Sequence, residues 1–162
     1  MTRPGILPIK SGDHAVVAAL QERCFADPWG IEGMARTLSM PGVLGLVIRV
    51  STPQGRSPVG FAVARVVADE VELLTLGVLP AWRCQGLARR LVKEACMHAM
   101  ALGARHILLE VAEDNAPARA LYARYGFSVV GHRPGYYRRE SPPAVDALIM
   151  RGELSFLQEK WR

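Results

Sequence analysis

The sequence predicts an α/β fold in which a mixed β-sheet is flanked by helices. Three runs rich in β-branched residues, which favour strands, follow one another in the middle of the chain: residues 43–50, 59–68 and 71–78. The apolar spacing becomes helical at residues 87–102 and returns to an apolar run at residues 106–111, which indicates a strand–helix–strand unit. The 162 residues contain no internal repeat and no low-complexity linker, so we expect one domain over residues 1–162.

Two helices are expected before the central strands. A short apolar run at residues 6–9 predicts a first strand. Asp13 and the two small residues before it are good helix caps, and apolar residues then fall on one face as far as Cys24. Pro28 disfavours helix at the residue before it, so we expect a loop there and a second short helix at residues 31–39.

The connections between the central strands suggest their directions. Residues 51–58 are rich in Pro, Gly and Ser and predict an exposed hairpin loop between the first two strands. Only Asp69 and Glu70 separate the next two strands, so those strands must be antiparallel neighbours. The strand at residues 106–111 follows a helix, which allows it to run parallel to the strand before that helix.

The last third of the chain predicts one more helix and a closing pair of strands. Asn115 is a suitable N-cap, Pro117 suits the first helical turn, and Gly126 ends the helix. The strands are expected at residues 127–131 and 144–151. The segment at residues 151–162 fits either a short helix or a C-terminal tail.

Composition excludes several classes of protein. The chain is 50% hydrophobic and 22% charged, and its formal charge of +5 favours a polyanionic partner: nucleic acid, an acidic membrane or a phosphate-rich cofactor. The first ten residues lack the apolar core of a secretory signal, and no apolar run is long enough to span a membrane. The three cysteines form no C-x-x-C pair, and the histidines show no metal-ligand spacing. We therefore expect a cytoplasmic protein without a metal.

The most specific local feature is a glycine-containing loop at the start of the helix at residues 87–102. Free amides at a helix start bind anions, and a glycine lets a ligand approach the backbone closely. The loop is made of Arg83, Cys84, Gln85, Gly86, Leu87 and Ala88. Arg89, Arg90 and Lys93 follow and, with Arg83, add positive charge around the helix start. An ordinary helix entry with solvated arginines would look the same, so the loop by itself leaves both interpretations open.

The loop and three further motifs resemble the Gcn5-related N-acetyltransferases (GNAT). The family's acetyl-CoA loop has the pattern Q/R-x-x-G-x-G/A, and residues 83–88 are similar to it. The strand HILLEV, then Asn115 and A-L-Y-x-x-x-G-F, follow in the family's order, and GYY and DALIM come after them. Residues 25–29 are similar to a Pro-Trp loop of the RimI-type members, which acetylate the N-terminal alanine of a small-subunit ribosomal protein. The resemblance implies a mixed sheet with a splay between two parallel strands, and acetyl-CoA as co-substrate.

By position, the resemblance implies which residues hold acetyl-CoA. The amides of the loop from Cys84 to Arg89 would bind the pyrophosphate. The pantetheine arm would pair with the backbone of Leu76, Gly77 and Val78, like an added strand. Asn115 would hydrogen-bond the same arm. In this family Cys84 contributes its backbone amide, so we expect no covalent role for its thiol, although sensitivity to oxidation stays open.

The resemblance also assigns an acid–base pair. Glu110 occupies the position of the general base, acting directly or through a water, and Tyr122 occupies that of the general acid. A tyrosine with a pKa near 10 can protonate a thiolate whose conjugate acid has a pKa near 8.5. An α-amine with a pKa near 8 is easier to deprotonate than a lysine side chain with a pKa near 10.4, which favours an N-terminal acceptor. The alternative is that Glu110 is a solvent-facing residue and that Tyr122 only packs.

Four aromatic residues are candidates for binding the acceptor: Phe25, Trp29, Tyr136 and Tyr137. They could instead anchor their loops in the core.

The expected activity is acetylation of a protein N-terminus, most similar to that of RimI-type enzymes, with a ribosomal protein as partner and no requirement for nucleic acid. Alternatives are acetylation of a small-molecule amine or an aminoacyl-tRNA, or a non-catalytic CoA-binding module.

Overall fold

The computed structural model describes residues 4–138 and 143–161. Within them seven strands form one sheet. The strands are β1 (Gly5–Pro8), β2 (Val43–Thr52), β3 (Gly55–Val67), β4 (Glu70–Val78), β5 (His106–Ala112), β6 (Ser128–Tyr137) and β7 (Val145–Glu153). The helices are α1 (His14–Cys24), α2 (Gly30–Leu38), α3 (Leu87–Ala101), α4 (Ala116–Arg124) and α5 (Leu154–Lys160), and short 3-10 turns occur at Ser11–Asp13 and Pro80–Trp82.

The strand order across the sheet is β1-β2-β3-β4-β5-β7-β6. The central pair β4–β5 is parallel, and its strands are joined by α3, whereas the other neighbouring strands are antiparallel. The predicted mixed α/β sheet is therefore confirmed, including the antiparallel pair β3–β4. The two-residue turn between these strands is formed by Ala68 and Asp69, one residue earlier than predicted, because Glu70 already pairs with Val67.

The helices cover the two faces of the sheet with two separate core clusters. A large cluster, with Leu91, Ile107 and Leu154 among its members, lies on the face covered by α3 and α5, here called the α3 face. A small cluster, which includes Val17 and Phe61, lies under α1 and α2 on the opposite face, here called the α1 face. Among the described helices, none is both long and apolar enough to cross a membrane.

The expected hairpin between β2 and β3 is confirmed, but its loop is much shorter than the predicted residues 51–58. The pairing of β2 with β3 continues to Thr52 opposite Gly55. The Thr52 hydroxyl donates to the Gly55 carbonyl at 2.9 Å and lies 3.2 Å from the Ser57 hydroxyl. Pro58 stands at the bulge in this pairing, where a missing N–H donor is tolerated. Most of the turn-forming residues therefore lie within the paired strands of a long hairpin instead of ending those strands.

The C-terminal elements are also longer than the sequence predicts. β6 was expected to end near residue 131 but continues to Tyr137. The segment left open between a tail and a helix contains α5, because Leu154, Leu157 and Trp161 recur at helical spacing and are all buried in the large cluster.

Candidate active site

The parallel strands β4 and β5 separate half-way along their length. Their pairing runs from Glu70 opposite His106 to Leu73 opposite Leu109. Beyond that point, within the described residues, β4 continues only with β3 and β5 only with β7. A bulge after Leu73 in the β3–β4 pairing accompanies the separation. The gap opens backbone groups of both strands to a ligand, which is the splay that the family resemblance implied.

The predicted phosphate loop lies directly after the open end of β4. Cys84 and Gly86 both adopt the left-handed conformation, with φ of 60° and 75°, and between them turn the chain into α3. The Arg90 N–H donates to the Gly86 carbonyl at 3.1 Å, as the helical pattern begins. The first-turn N–H groups of Leu87, Ala88 and Arg89 have no acceptor within a helix of this kind, so they are available to an anion. These donors fit a pyrophosphate.

The basic side chains around this helix start are used differently from what we expected. Arg83 donates from Nε to the Val78 carbonyl at 3.0 Å. Arg90 donates to the Pro4 carbonyl at 2.7 Å, and Lys93 donates to the Trp161 carbonyl at 2.9 Å. Arg89 stacks over the Tyr125 ring. Arg90 and Lys93 therefore bind backbone carbonyls of Pro4 and Trp161, and the case for phosphate binding depends on the loop amides.

The end of β4 is shaped by tight packing around Gly77. A Cβ at this position would lie 2.6 Å from the Phe61 ring and 3.1 Å from the Cys24 sulfur. Cys24 also contacts Arg83: burial raises the pKa of its thiol, and the guanidinium and its hydrogen bond partly offset that rise. Leu76, Gly77 and Val78 thus form the wall of the splay, with their backbone held by β3 on one side. Gln85, by contrast, is simply exposed in the loop.

Asn115 has a structural contact that the sequence predicted. Its side-chain oxygen accepts the Ala118 N–H at 3.2 Å and so caps α4. The Asn115 side chain is exposed, and its amide NH₂ is a second polar group beside the end of β5. Its contact with the pantetheine arm stays a prediction.

Glu110 points to the α1 face of the sheet. Its neighbours Leu109 and Val111 are buried in the large cluster on the α3 face, and side chains alternate along a strand. The Glu110 side chain is 22% exposed, and its Oε1 lies 3.2 Å from Nε of Arg133 on β6. It therefore stands at the edge of the splay, on the side of the sheet that carries the α1–α2 loop.

Tyr122 lies on the other side, within the large cluster. It is 6% exposed, and its ring centroid lies 5.3 Å from that of Phe127. Burial raises the pKa of the Tyr122 phenol, and the neighbouring Tyr137 raises it further. The phenol therefore keeps its proton through the neutral and mildly alkaline range, and the same rise in pKa makes it a weaker proton donor.

The α1–α2 loop is held by a buried glutamine that our sequence reasoning did not single out. Gln21 is 2% exposed. Its Oε1 accepts the Trp29 N–H at 2.9 Å, and its Nε2 donates to the Thr75 hydroxyl at 3.4 Å. Trp29 packs against the small cluster, whereas Phe25 is 42% exposed. Of these two acceptor candidates, Phe25 presents its ring to solvent, and Trp29 anchors the loop.

The second aromatic pair is placed by Asp146. Tyr136 and Tyr137 meet edge to face, with ring centroids 5.1 Å apart. Asp146 accepts the Gly135 N–H through Oδ1 at 2.7 Å, and its Oδ2 lies 3.0 Å from Nε2 of His132. Asp146 therefore fixes the strand end that carries both tyrosines.

In the described residues Glu113 joins His132 and Asp146 to bring three potential metal-ligand atoms within 4.8 Å of one another, a proximity that the sequence spacing did not predict.

Comparison with known proteins decides the family. The model of the acetyltransferase (GNAT) family matches residues 15–127, which is more than half of the chain. The chain belongs to the acetyltransferase (GNAT) family. The predicted resemblance is confirmed, and the opening between β4 and β5 is the feature that the family resemblance implied.

Individual GNAT relatives extend the match over most of the chain. The N-alpha-acetyltransferase RimI of Mycobacterium tuberculosis is 36% identical over 140 residues, covering 83% of this chain and 82% of that protein. The ribosomal protein bS18-alanine N-acetyltransferase of Haemophilus influenzae is 33% identical over 92 residues, and the match spans 57% of this chain and 62% of that protein. The crystal structure of the Escherichia coli ribosomal-protein-S18-alanine N-acetyltransferase superposes with a TM-score of 0.83, at 28% identity, over 94% of each chain.

Two residues that organise this GNAT site, Gln21 and Arg133, were not predicted from the sequence, for different reasons. Gln21 falls between Val17 and Cys24 on the apolar face of α1, so a polar residue in a buried stripe was a signal that could have been used. Arg133 gave no such signal, because the strand that carries it was expected to end earlier.

Proposed function

We propose that the protein is an acetyl-CoA-dependent N-acetyltransferase that modifies the N-terminal α-amine of a protein. The proposed acceptor is of the RimI kind, the N-terminal alanine of a ribosomal protein. The observation that carries the proposal is the placement of Glu110 at the splay, on the face opposite the buried phenol of Tyr122. An acceptor and a thioester could thus approach one gap from two sides.

The residues around the splay fit acetyl-CoA. The first-turn amides of α3 suit a pyrophosphate. The backbone from Leu76 to Val78, apart from the Val78 carbonyl that accepts from Arg83, suits an extended pantetheine amide chain. Asn115 offers an exposed side-chain amide beside the end of β5. When bound, acetyl-CoA supplies a thioester whose acetyl group moves to the amine and whose sulfur leaves as a thiolate.

In this proposal each proton transfer is assigned to one residue beside the splay. Glu110, directly or through a water, takes the proton from the attacking amine. A backbone amide near Val78 donates to the carbonyl oxygen as negative charge develops on it. Tyr122 gives its proton to the departing sulfur, and its raised pKa keeps that proton available until the thiolate forms.

A carboxylate base favours an α-amine over a lysine as acceptor. A single carboxylate must remove a proton from a group with a pKa near 8 in one case and near 10.4 in the other. The difference corresponds to about 3 kcal/mol. The names of the M. tuberculosis and E. coli relatives point to the same class of acceptor.

A panel of acceptors tests the proposal. The protein and acetyl-CoA are incubated with peptides beginning with Ala, Ser or Met, an N-terminally blocked peptide containing lysine, free small-molecule amines and charged tRNA. Intact-mass analysis should show one added acetyl group on the Ala peptide, with the blocked peptide unmodified. Acetylation of the blocked peptide, the small amines or the charged tRNA instead would contradict it.

A further inference from the structure

The carboxylate of Glu110 already has a cationic partner in this structure. Nε of Arg133 lies 3.2 Å from Oε1 of Glu110, although the two residues belong to strands separated by β7. In the sheet register Arg133 stands opposite Ala147, and Glu110 stands in the next same-face row, opposite Ile149 and in line with Gly131. The arginine therefore reaches diagonally across β7 to the glutamate.

Two small residues leave room for this reach. Ala147 places only a methyl group beneath the Arg133 stem. Gly131, which occupies the Glu110 row on β6, has no side chain, and a Cβ there would lie 2.9 Å from Cδ1 of Ile149. The contact is thus permitted by the packing of the sheet itself, on the face where the acceptor amine has to arrive.

The contact is also easy to replace. Arg133 is 54% exposed, and its Nε is 3.2 Å from one carboxylate oxygen, the geometry of a weak surface ion pair. The Arg133 guanidinium has a second favourable neighbour, because its Cζ lies 5.4 Å from the centroid of the Tyr136 ring. Tyr136 in turn contacts Tyr137, whose phenol raises the pKa of Tyr122. If Arg133 gives up its contact with Glu110, its guanidinium can stay over the Tyr136 ring.

We propose that Arg133 is a placeholder for the acceptor: its guanidinium pairs with the Glu110 carboxylate until the ammonium of the acceptor displaces it, and it then keeps its contact with the Tyr136 ring. The inference rests on the proposed function, since it takes Glu110 as the group that receives the amine. Arg133 acts through Glu110 and is a positioning residue. It keeps a cation beside the carboxylate while the site is empty and competes with every acceptor that binds.

Competition of this kind predicts a specific kinetic signature. Arg133→Gln removes the competing charge, so the KM for the acceptor and its Kd in the presence of CoA should fall about twofold to fivefold. The values of kcat and of the KM for acetyl-CoA should stay unchanged. Arg133→Lys keeps a cation and should restore both acceptor constants. Arg124→Ala, which removes an exposed arginine at the end of α4, is the matched control and should change none of these constants.

The test measures acceptor binding directly as well as turnover. An Ala peptide, a blocked lysine peptide and a small amine are titrated by calorimetry into CoA-bound wild type, Arg133→Gln, Glu110→Gln and the double variant. Arg133→Gln should tighten the acceptor in the wild-type background and have no effect in the Glu110→Gln background. In ¹⁵N-correlation spectra, the Nε–H signal that Arg133→Lys removes should shift when acceptor is added.

The outcomes separate this inference from the proposed function. If a lysine peptide or a small amine binds and reacts instead of the Ala peptide, the proposed acceptor is wrong. Binding by wild type and by Arg133→Gln is then compared with that amine as the acceptor. Weaker or unchanged acceptor binding in Arg133→Gln would overturn the placeholder role, whichever amine reacts. A fall in kcat without a change in acceptor Kd would overturn it equally.

Discussion

Glu110 and Tyr122 lie on opposite faces of the sheet, although β5 leads directly into the helix that carries the tyrosine. The residues on either side of Glu110 are buried with Tyr122, so the glutamate itself must point the other way. The opening between β4 and β5 is where groups on the two faces can meet. In the proposed mechanism, the amine on the α1 face would meet Glu110, and the thioester sulfur on the α3 face would meet Tyr122.

Glu110→Gln should lower kcat by a factor of about 100 or more, because the amide cannot accept the proton of the attacking amine. The KM for acetyl-CoA should stay near that of the wild type. Steady-state kinetics with an Ala peptide measure both constants. Glu72→Gln, an exposed glutamate on the same face of the neighbouring strand, is the control and should retain full activity. Undiminished kcat in Glu110→Gln would remove this residue from the mechanism.

Tyr122→Phe should lower kcat by about 100-fold while keeping the ring in its pocket. Because burial and Tyr137 raise the pKa of the Tyr122 phenol, the wild-type kcat should show no alkaline loss caused by this group up to about pH 10. Rates measured from pH 6 to pH 10 check both statements, with Tyr125→Phe as the control. An alkaline limb below pH 10 that disappears in Tyr122→Phe would contradict the raised pKa.

Much of this arrangement could be predicted from sequence, because it depends on local patterns. Three features each specify structure within a few positions: the change from strand-like to helical apolar spacing after Val78, the capping residue Asn115, and the two-residue turn before β4. The Arg133–Glu110 contact depends on the register of three strands, which no local pattern encodes. The hairpin loop predicted at residues 51–58 is too long, because turn-forming residues within it continue a ladder whose partner strand supplies the hydrogen bonds.

Gln21→Leu should destabilise the fold by about 1–3 kcal/mol, because it leaves the Trp29 N–H and the Thr75 hydroxyl without their buried partner. Urea unfolding followed by circular dichroism measures the change in the free energy of unfolding. Glu22→Ala changes the adjacent exposed residue and should have an effect within about 0.5 kcal/mol. Equal stability of Gln21→Leu and wild type would show that these hydrogen bonds contribute nothing.

The three thiols should react with iodoacetamide in the order Cys84, Cys24, Cys96. Cys84 is exposed, burial raises the pKa of Cys24, and burial raises the pKa of Cys96 to about 12. CoA should slow the labelling of Cys84, since the loop backbone on either side of it is the proposed pyrophosphate site. Peptide mapping after timed labelling measures each rate. Labelling of Cys84 at the same rate with and without saturating CoA would contradict this placement of the cofactor.

The most direct test of the central claim uses one peptide that carries both kinds of amine. A peptide with a free N-terminal alanine and an internal lysine is incubated with the protein and acetyl-CoA, and fragment masses locate the acetyl group. The account predicts modification of the α-amine alone, and loss of that product in Glu110→Gln. Acetyl on the lysine, or α-amine product formed at the wild-type rate by Glu110→Gln, would contradict it.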